Sequence, residues 1–97
     1  MSRTKNDTTL GDAILRFLKN NKLYGRYLEE EVRASWPEVM GVAIARHTKD
    51  LYMDHGVLIV KLDSAVLRSE LEMGKELIVR RLNERVGNQV INTLKFQ

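Results

Sequence analysis

The sequence predicts a single α+β domain in which a small three-stranded sheet carries helices mainly on one face. Three observations support this class. Apolar residues recur at helical spacing before Thr48, the period shortens to two residues between 49 and 62, and helical spacing returns before a last apolar run. The predicted order is helix, helix, helix, strand, strand, helix or helix pair, strand. The 97 residues suffice for one core, which we place in residues 9–97 behind a flexible polar tail over residues 1–8.

The first half of the chain predicts three helices. Thr9 is expected to cap the first, whose apolar residues share one face: Leu10, Ile14, Phe17 and Leu18. A second helix is expected from about Leu23 to Ser35. Pro37 is expected to end it and to open a short third helix that His47 closes, because proline disfavours helix at the residue before it. Gly41 would then lie inside a helix, where close packing against a neighbour would explain it.

Two short runs, 49–54 and 57–62, flank His55-Gly56 and predict a β-hairpin with Gly56 at a positive φ. Residues 58, 60 and 62 alternate onto one apolar face of the second strand. The opposite face carries Val57 and Ile59 and is also largely apolar, so it is either covered or available to a partner. If it is available, Val57 and Ile59 are candidate protein-interaction residues.

The remaining third predicts a helical segment and a final strand. Asp63 or Ser64 can cap the segment, whose apolar stripe runs from Leu67 to Leu82. The Met73-Gly74 step leaves open whether this is one helix or two. Gly87 is suited to ending it, and residues 90–96 follow as the last strand. If the second and third strands run parallel, the connection between them is expected to be right-handed.

Composition argues against an enzyme, a metalloprotein and a membrane protein. There is no cysteine, and His47 and His55 lack the spacing that places two metal ligands on one helix face. The six glycines are scattered, so no phosphate loop is formed, and the acidic residues do not converge on one point. No apolar run approaches the roughly 20 residues of a membrane span, and the polar start is no secretory signal. We therefore expect a cytoplasmic protein with no catalytic residues, metal, cofactor or small-molecule substrate.

The basic residues are the more informative charged groups. The net charge of +3 favours a polyanionic partner only slightly, so the positions of the cations matter more. Arg81 and Arg85, one turn apart on the last helix, are the first candidates for phosphate contacts. The next candidates lie on the first two helices and their junction: Arg16, Lys19, Lys22 and Arg26. Tyr24 and Tyr27 add a possible stacking element, although amphipathic helices also carry such cations routinely.

Three segments resemble the DciA-like family of bacterial proteins. They are WPEVMGVAIARHT (36–48), GVLIVKLDSAVLRSEL (56–71) and ELIVRRLNERVGNQVINTLKF (76–96), in order and at matching spacing. The resemblance implies a K-homology-like fold and a loader or operator of the replicative helicase that binds single-stranded or tailed DNA without being an ATPase. It thereby implies two partners, DNA and the helicase.

Two departures qualify what the resemblance implies. No two glycines have the G-x-x-G spacing with which K-homology domains hold a nucleic-acid backbone, so binding by that route is not expected. Longer family members add a disordered basic extension that helps to engage helicase or DNA, and we expect this chain to be a short form without it. The matching residues Trp36, Gly41, His47 and Leu71 each have a packing explanation.

Overall fold

The structure, a computed structural model, describes the backbone of residues 2–97 and the side chains from Thr9 onward. Five helices and three strands follow in the order α1 (Ser2–Asn20), α2 (Tyr24–Met40), α3 (Val42–Arg46), β1 (Thr48–Asp54), β2 (Val57–Leu62), α4 (Ala65–Met73), α5 (Lys75–Val86) and β3 (Thr93–Phe96). The α+β prediction is confirmed, and the element order is compatible with the K-homology comparison.

The predicted start of the first helix at Thr9 is wrong. No proline or glycine interrupts residues 2–8, and α1 begins at Ser2. The predicted flexibility of residues 1–8 lies outside what the structure describes.

The sheet has the strand order β1-β2-β3, with β1 antiparallel and β3 parallel to the central strand. The predicted hairpin is confirmed. His55 and Gly56 form its two-residue turn with φ angles of 50° and 83°, and two positive φ values are what a tight hairpin turn of type I′ requires. On the outer face, Ile59 lies between Tyr52 of β1 and Lys95 of β3.

One face of the sheet packs against α2 and α5, and this contact forms the core. Val32 and Trp36 of α2 are buried one turn apart, as helical spacing requires for a core-facing stripe. The other core residues come from α5, the strands and the segment before β3: Leu58, Val60, Leu62, Ile78, Leu82, Ile91, Leu94 and Phe96. The alternation of residues 58, 60 and 62 was thus read correctly from the sequence.

Two predictions about the α2–α3 region are wrong. Pro37 lies inside α2, which continues to Met40, although an interior proline costs about 3 kcal/mol. The neighbouring Trp36 holds this turn of α2 in place: its side chain is buried in the core, and its indole N–H donates a hydrogen bond to Thr48 Oγ1 at 3.0 Å. Gly41 is the break between the helices, with φ 91°, and a Cβ added there would meet no described atom within 4 Å. Its left-handed backbone therefore explains the glycine, and close packing does not.

In the last third of the chain the structure agrees more closely with the prediction. Ser64 caps α4 by accepting a hydrogen bond from the Leu67 N–H at 3.1 Å, and Gly87 ends α5 in the left-handed conformation. Gly74 divides the helical segment into two helices, which settles the alternative left open above.

The final strand begins at Thr93, later than the predicted 90, because Asn83 binds the preceding backbone. Its Oδ1 accepts hydrogen bonds from the N–H groups of Val90 and Ile91 at 2.9 and 3.0 Å, and its Nδ2 donates to the Ile91 carbonyl at 2.9 Å.

Candidate nucleic-acid interface

Four exposed cations surround the turn between α1 and α2. Arg16 and Lys19 lie at the end of α1, Lys22 in the turn and Arg26 in the first turn of α2. Between Asp12 and Glu29 the sequence contains these four cations and no acidic residue. We call residues 16–27 the basic corner. Its single-signed charge attracts a polyanion more strongly than the net charge of the whole chain suggests.

Two tyrosines lie within the basic corner. The rings of Tyr24 and Tyr27 stack with centroids 6.2 Å apart and planes 22° apart, and Lys19 Nζ lies 5.1 Å from the Tyr24 centroid. Tyr27 remains 41% exposed. The negative charge of Glu31 raises the pKa of Tyr27 above its usual 10.0, so its hydroxyl is neutral at physiological pH. Cations beside exposed aromatic rings are the combination that single-stranded nucleic-acid sites use.

The other two candidate arginines lie on α5 and differ in their contacts. Arg85 donates from Nε and Nη2 to Glu38 Oε2, each at 2.7 Å, so its charge is already paired. Arg81, one turn earlier, is exposed and forms no ion pair within the described part of the chain. Of the two first-choice residues, only Arg81 is therefore an unpaired cation.

The six candidate cations do not form one patch. Arg26 and Glu38 are separated by twelve positions of α2, about 18 Å of helix rise, and Glu38 is where Arg85 is held. Glu29, Glu30 and Glu31 lie between the two ends. Arg16, Lys19, Lys22 and Arg26 thus lie on either side of the α1–α2 turn, and Arg81 and Arg85 lie on a different helix, α5.

The outer sheet face offers little apolar surface at the residues predicted for protein contact. Ile59, in the central strand between Tyr52 and Lys95, is only 5% exposed, and Val57 is half-buried. The sequence indicated the apolar character of this face but contained no signal for the burial of Ile59.

Exposed apolar side chains recur at helical spacing on α1, and single ones lie on α3 and α4 at Val42, Val66 and Met73. Leu10, Ile14 and Phe17, which we call the α1 stripe, are 63%, 50% and 59% exposed. Of the described α1 side chains, none belongs to the core. The spacing revealed an apolar helix face, but only the structure shows that this face is not packed against the rest of the domain. An amphipathic helix with its apolar side open is typical of a protein-docking surface.

The two histidines lie at the ends of elements and each is hydrogen-bonded to an aspartate. His47 closes α3 and its Nδ1 lies 2.7 Å from Asp63 Oδ1, while Lys49 Nζ lies 3.2 Å from Asp63 Oδ2. The hydrogen bond from His47 is the main cause of an Asp63 pKa below its usual value of 3.8. His55 lies in the hairpin turn beside Asp54. Among the described residues, no group of three His, Cys, Asp or Glu side chains could hold a metal, and no helix could cross a membrane.

Comparison with known proteins finds one matching family and several curated relatives. The family described as "Dna[CI] antecedent, DciA" matches residues 9–96. A UPF0232 protein of Mycobacterium ulcerans is 27% identical over 93 residues, covering 96% of this chain and 50% of the relative. A UPF0232 protein of Streptomyces coelicolor is 31% identical over 88 residues, covering 89% of this chain and 46% of the relative. The chain thus spans about half the length of the curated relatives it matches.

Proposed function

The chain belongs to the DciA family, which is associated with loading of the replicative helicase, and we propose on this premise that it is a non-enzymatic DNA-binding accessory protein of that helicase. The family supports a replication-related role and an accessory activity in place of a catalytic one. Such a protein acts in the bacterial cytoplasm on single-stranded or tailed DNA.

The observation that carries DNA binding is the basic corner. Its four exposed cations flank one turn of the chain with no acidic residue between them in sequence, so they can contact successive phosphates. Arg81 is a further candidate on α5, whereas Arg85 contributes only if Glu38 releases it. Contacts of this kind give affinity without base preference and a steep dependence on salt.

Fluorescence anisotropy with labelled single-stranded, duplex and tailed DNA tests this proposal at low and near-physiological salt. Arg26→Glu should weaken binding about fivefold at low salt, because it reverses a charge inside the basic corner. Arg46→Glu is the matched control, since Arg46 is exposed on α3 and forms no ion pair within the described chain. Equal losses in the two variants would indicate a general charge effect. No binding of the unaltered protein at low salt would overturn DNA binding itself.

A second candidate function, binding to the helicase without DNA contact, is favoured by the α1 stripe. The three exposed side chains recur at one-turn spacing, which suits a helical apolar surface on the partner. We propose the helicase as that partner because the chain belongs to a helicase-associated family.

Co-elution with the helicase tests this alternative. Phe17→Ser should abolish co-elution while leaving the unfolding midpoint unchanged, because Phe17 is 59% exposed and outside the core. Ile59→Ser should instead lower stability by about 2 kcal/mol, since Ile59 is 5% exposed. Retained co-elution by Phe17→Ser would exclude the α1 stripe. Apolar docking responds little to salt, which separates it from phosphate binding.

A further inference from the structure

We infer that the cavity between α1 and Tyr27 receives a single unpaired base of a DNA strand. This inference rests on the proposed DNA binding and assigns it a specific site. The cavity has a volume of about 420 Å³ and is lined by Gly11, Asp12, Ile14, Leu15, Leu18 and Tyr27. That volume falls within the roughly 300–1,000 Å³ of small-molecule sites, so a base can enter.

The lining matches the two chemical requirements of a base. Ile14, Leu15 and Leu18 supply an apolar wall for its faces, and Tyr27 supplies an aromatic ring that is 41% exposed. Tyr24 stacks on Tyr27, so the ring that would meet the base is itself supported. Stacking of a base on such a ring tolerates any base, as a helicase accessory protein requires.

The charges decide which part of a nucleotide enters. Asp12 is the only charged residue of the cavity lining, and its carboxylate repels a phosphate but accepts a hydrogen bond from a base N–H. The cation that the structure places beside the two rings is Lys19, whose Nζ lies 5.1 Å from the Tyr24 centroid and which is not part of the lining, while Glu31 is hydrogen-bonded to the Tyr27 hydroxyl. This arrangement places the base inside and the phosphates beside the cations.

The same arrangement excludes a duplex. A paired base has its faces covered by its neighbours and its hydrogen-bonding edge by its partner, so it must be unstacked before it can enter a cavity. A partner protein could present an apolar side chain to the cavity, but the cations of the basic corner, with Lys19 beside Tyr24, favour a polyanion over a neutral surface. The cations of the basic corner therefore favour a nucleic acid, and the cavity selects its single-stranded form.

Two substitutions at Tyr27 test the inference by anisotropy with a single strand and a duplex at low salt. Tyr27→Leu should weaken single-strand binding about tenfold and leave duplex binding within about twofold, because the ring is lost and every cation is kept. Tyr27→Phe keeps the ring and should bind like the unaltered protein. Because Tyr27 is half-exposed, the fluorescence of buried Trp36 should confirm that both variants are folded. Equal weakening for both DNA forms, or none for either, would overturn the inference.

Photocrosslinking locates the base independently of affinity. A single strand containing 5-iododeoxyuridine should crosslink to Tyr27, and trypsin separates Tyr27 from Tyr24 because it cleaves after Arg26. The expected product is the peptide 27–33 joined to the nucleotide. Crosslinks confined to other peptides in a protein that binds DNA would contradict the base site and leave the proposed function standing. Absence of all DNA binding would remove both.

Discussion

Glu38 and Arg85 join the ends of α2 and α5, with one carboxylate oxygen accepting hydrogen bonds from both Nε and Nη2 at 2.7 Å. The two side chains are 55% and 54% exposed, so the pair stabilises the domain by no more than about 1 kcal/mol. For the proposed DNA binding the pair has a further consequence, because it occupies one of the two arginines first expected to contact phosphate.

Glu38→Gln should release Arg85 and raise affinity for DNA about twofold at low salt, with unfolding free energy lowered by less than about 1 kcal/mol. The reason is that the guanidinium loses its charged partner and becomes available to a phosphate. Anisotropy and urea denaturation measure the two effects. Glu84→Gln is the control, because Glu84 is exposed on α5, the helix of Arg85, and has no ion pair in the described structure. An equal gain in both variants would mean that Arg85 makes no contact of its own.

Asn83→Ala should lower the free energy of unfolding by about 3 kcal/mol. The substitution removes three hydrogen bonds and leaves the buried N–H and C=O groups of Ile91 without this partner. Urea denaturation followed by Trp36 fluorescence measures the loss. Asn88→Ala, at an exposed position of the same segment, should change stability by less than about 0.5 kcal/mol. Similar losses from both would mean that Asn83 does not hold the segment.

Gly56→Ala and Gly25→Ala should change stability in opposite directions. Gly56 has φ 83°, and an added Cβ would lie 2.6 Å from Asn92 Nδ2, so we expect a loss of about 1–2 kcal/mol. Gly25 lies in α2 with no described atom within 4 Å of an added Cβ, so alanine should stabilise by about 0.5–1 kcal/mol. Thermal unfolding compares the variants. The double variant Gly56→Ala with Asn92→Ala should recover only the part of the lost stability that is due to the clash of the added Cβ with Asn92. Full recovery would show that alanine is not strained at this positive φ.

Stability should fall in acid partly because of Asp63. The hydrogen bond from His47, followed by that from Lys49, lowers the Asp63 pKa in the folded state below its usual value of 3.8. A lowered carboxyl pKa contributes stability above the unfolded value and loses it as pH falls through the folded value. Urea midpoints from about pH 5 downward should therefore drop less steeply for Asp63→Asn than for the unaltered protein. Identical pH profiles would show that the contact contributes nothing to folding.

Local chemistry in the sequence was sufficient for much of the fold. The positive φ at Gly56 and the left-handed Gly87 depend on residues close in the chain, and both were predicted. The α4 cap is equally local, and the structure selects Ser64 from the two predicted candidates, Asp63 and Ser64. Alternation correctly assigned the inward face of β2, since one face of a strand must be buried together.

The features that the sequence could not reveal depend on distant partners. Continuation of α2 through Pro37 depends on Trp36 and its bond to Thr48, and the late start of β3 depends on Asn83. Pairing of Arg85 joins residues 47 positions apart, and Ile59 is buried in a central strand whose two neighbours come from other parts of the chain. The candidate phosphate contacts on α5 were predicted least well, because whether a cation is free depends on such distant pairings. The basic corner was easier to predict, since its residues are neighbours in sequence.

The parallel pairing of β3 with β2 also determines the order in which the chain can fold on the ribosome. Synthesis proceeds at about 5–20 residues per second from the N-terminus, so β1, β2, α4 and α5 all emerge before Thr93–Phe96 does. During that interval β2 has an unpaired edge, which is a template for pairing with another nascent chain. Docking of Thr93–Phe96 on β2 closes this edge, so one of the last steps of folding also removes a site of aggregation.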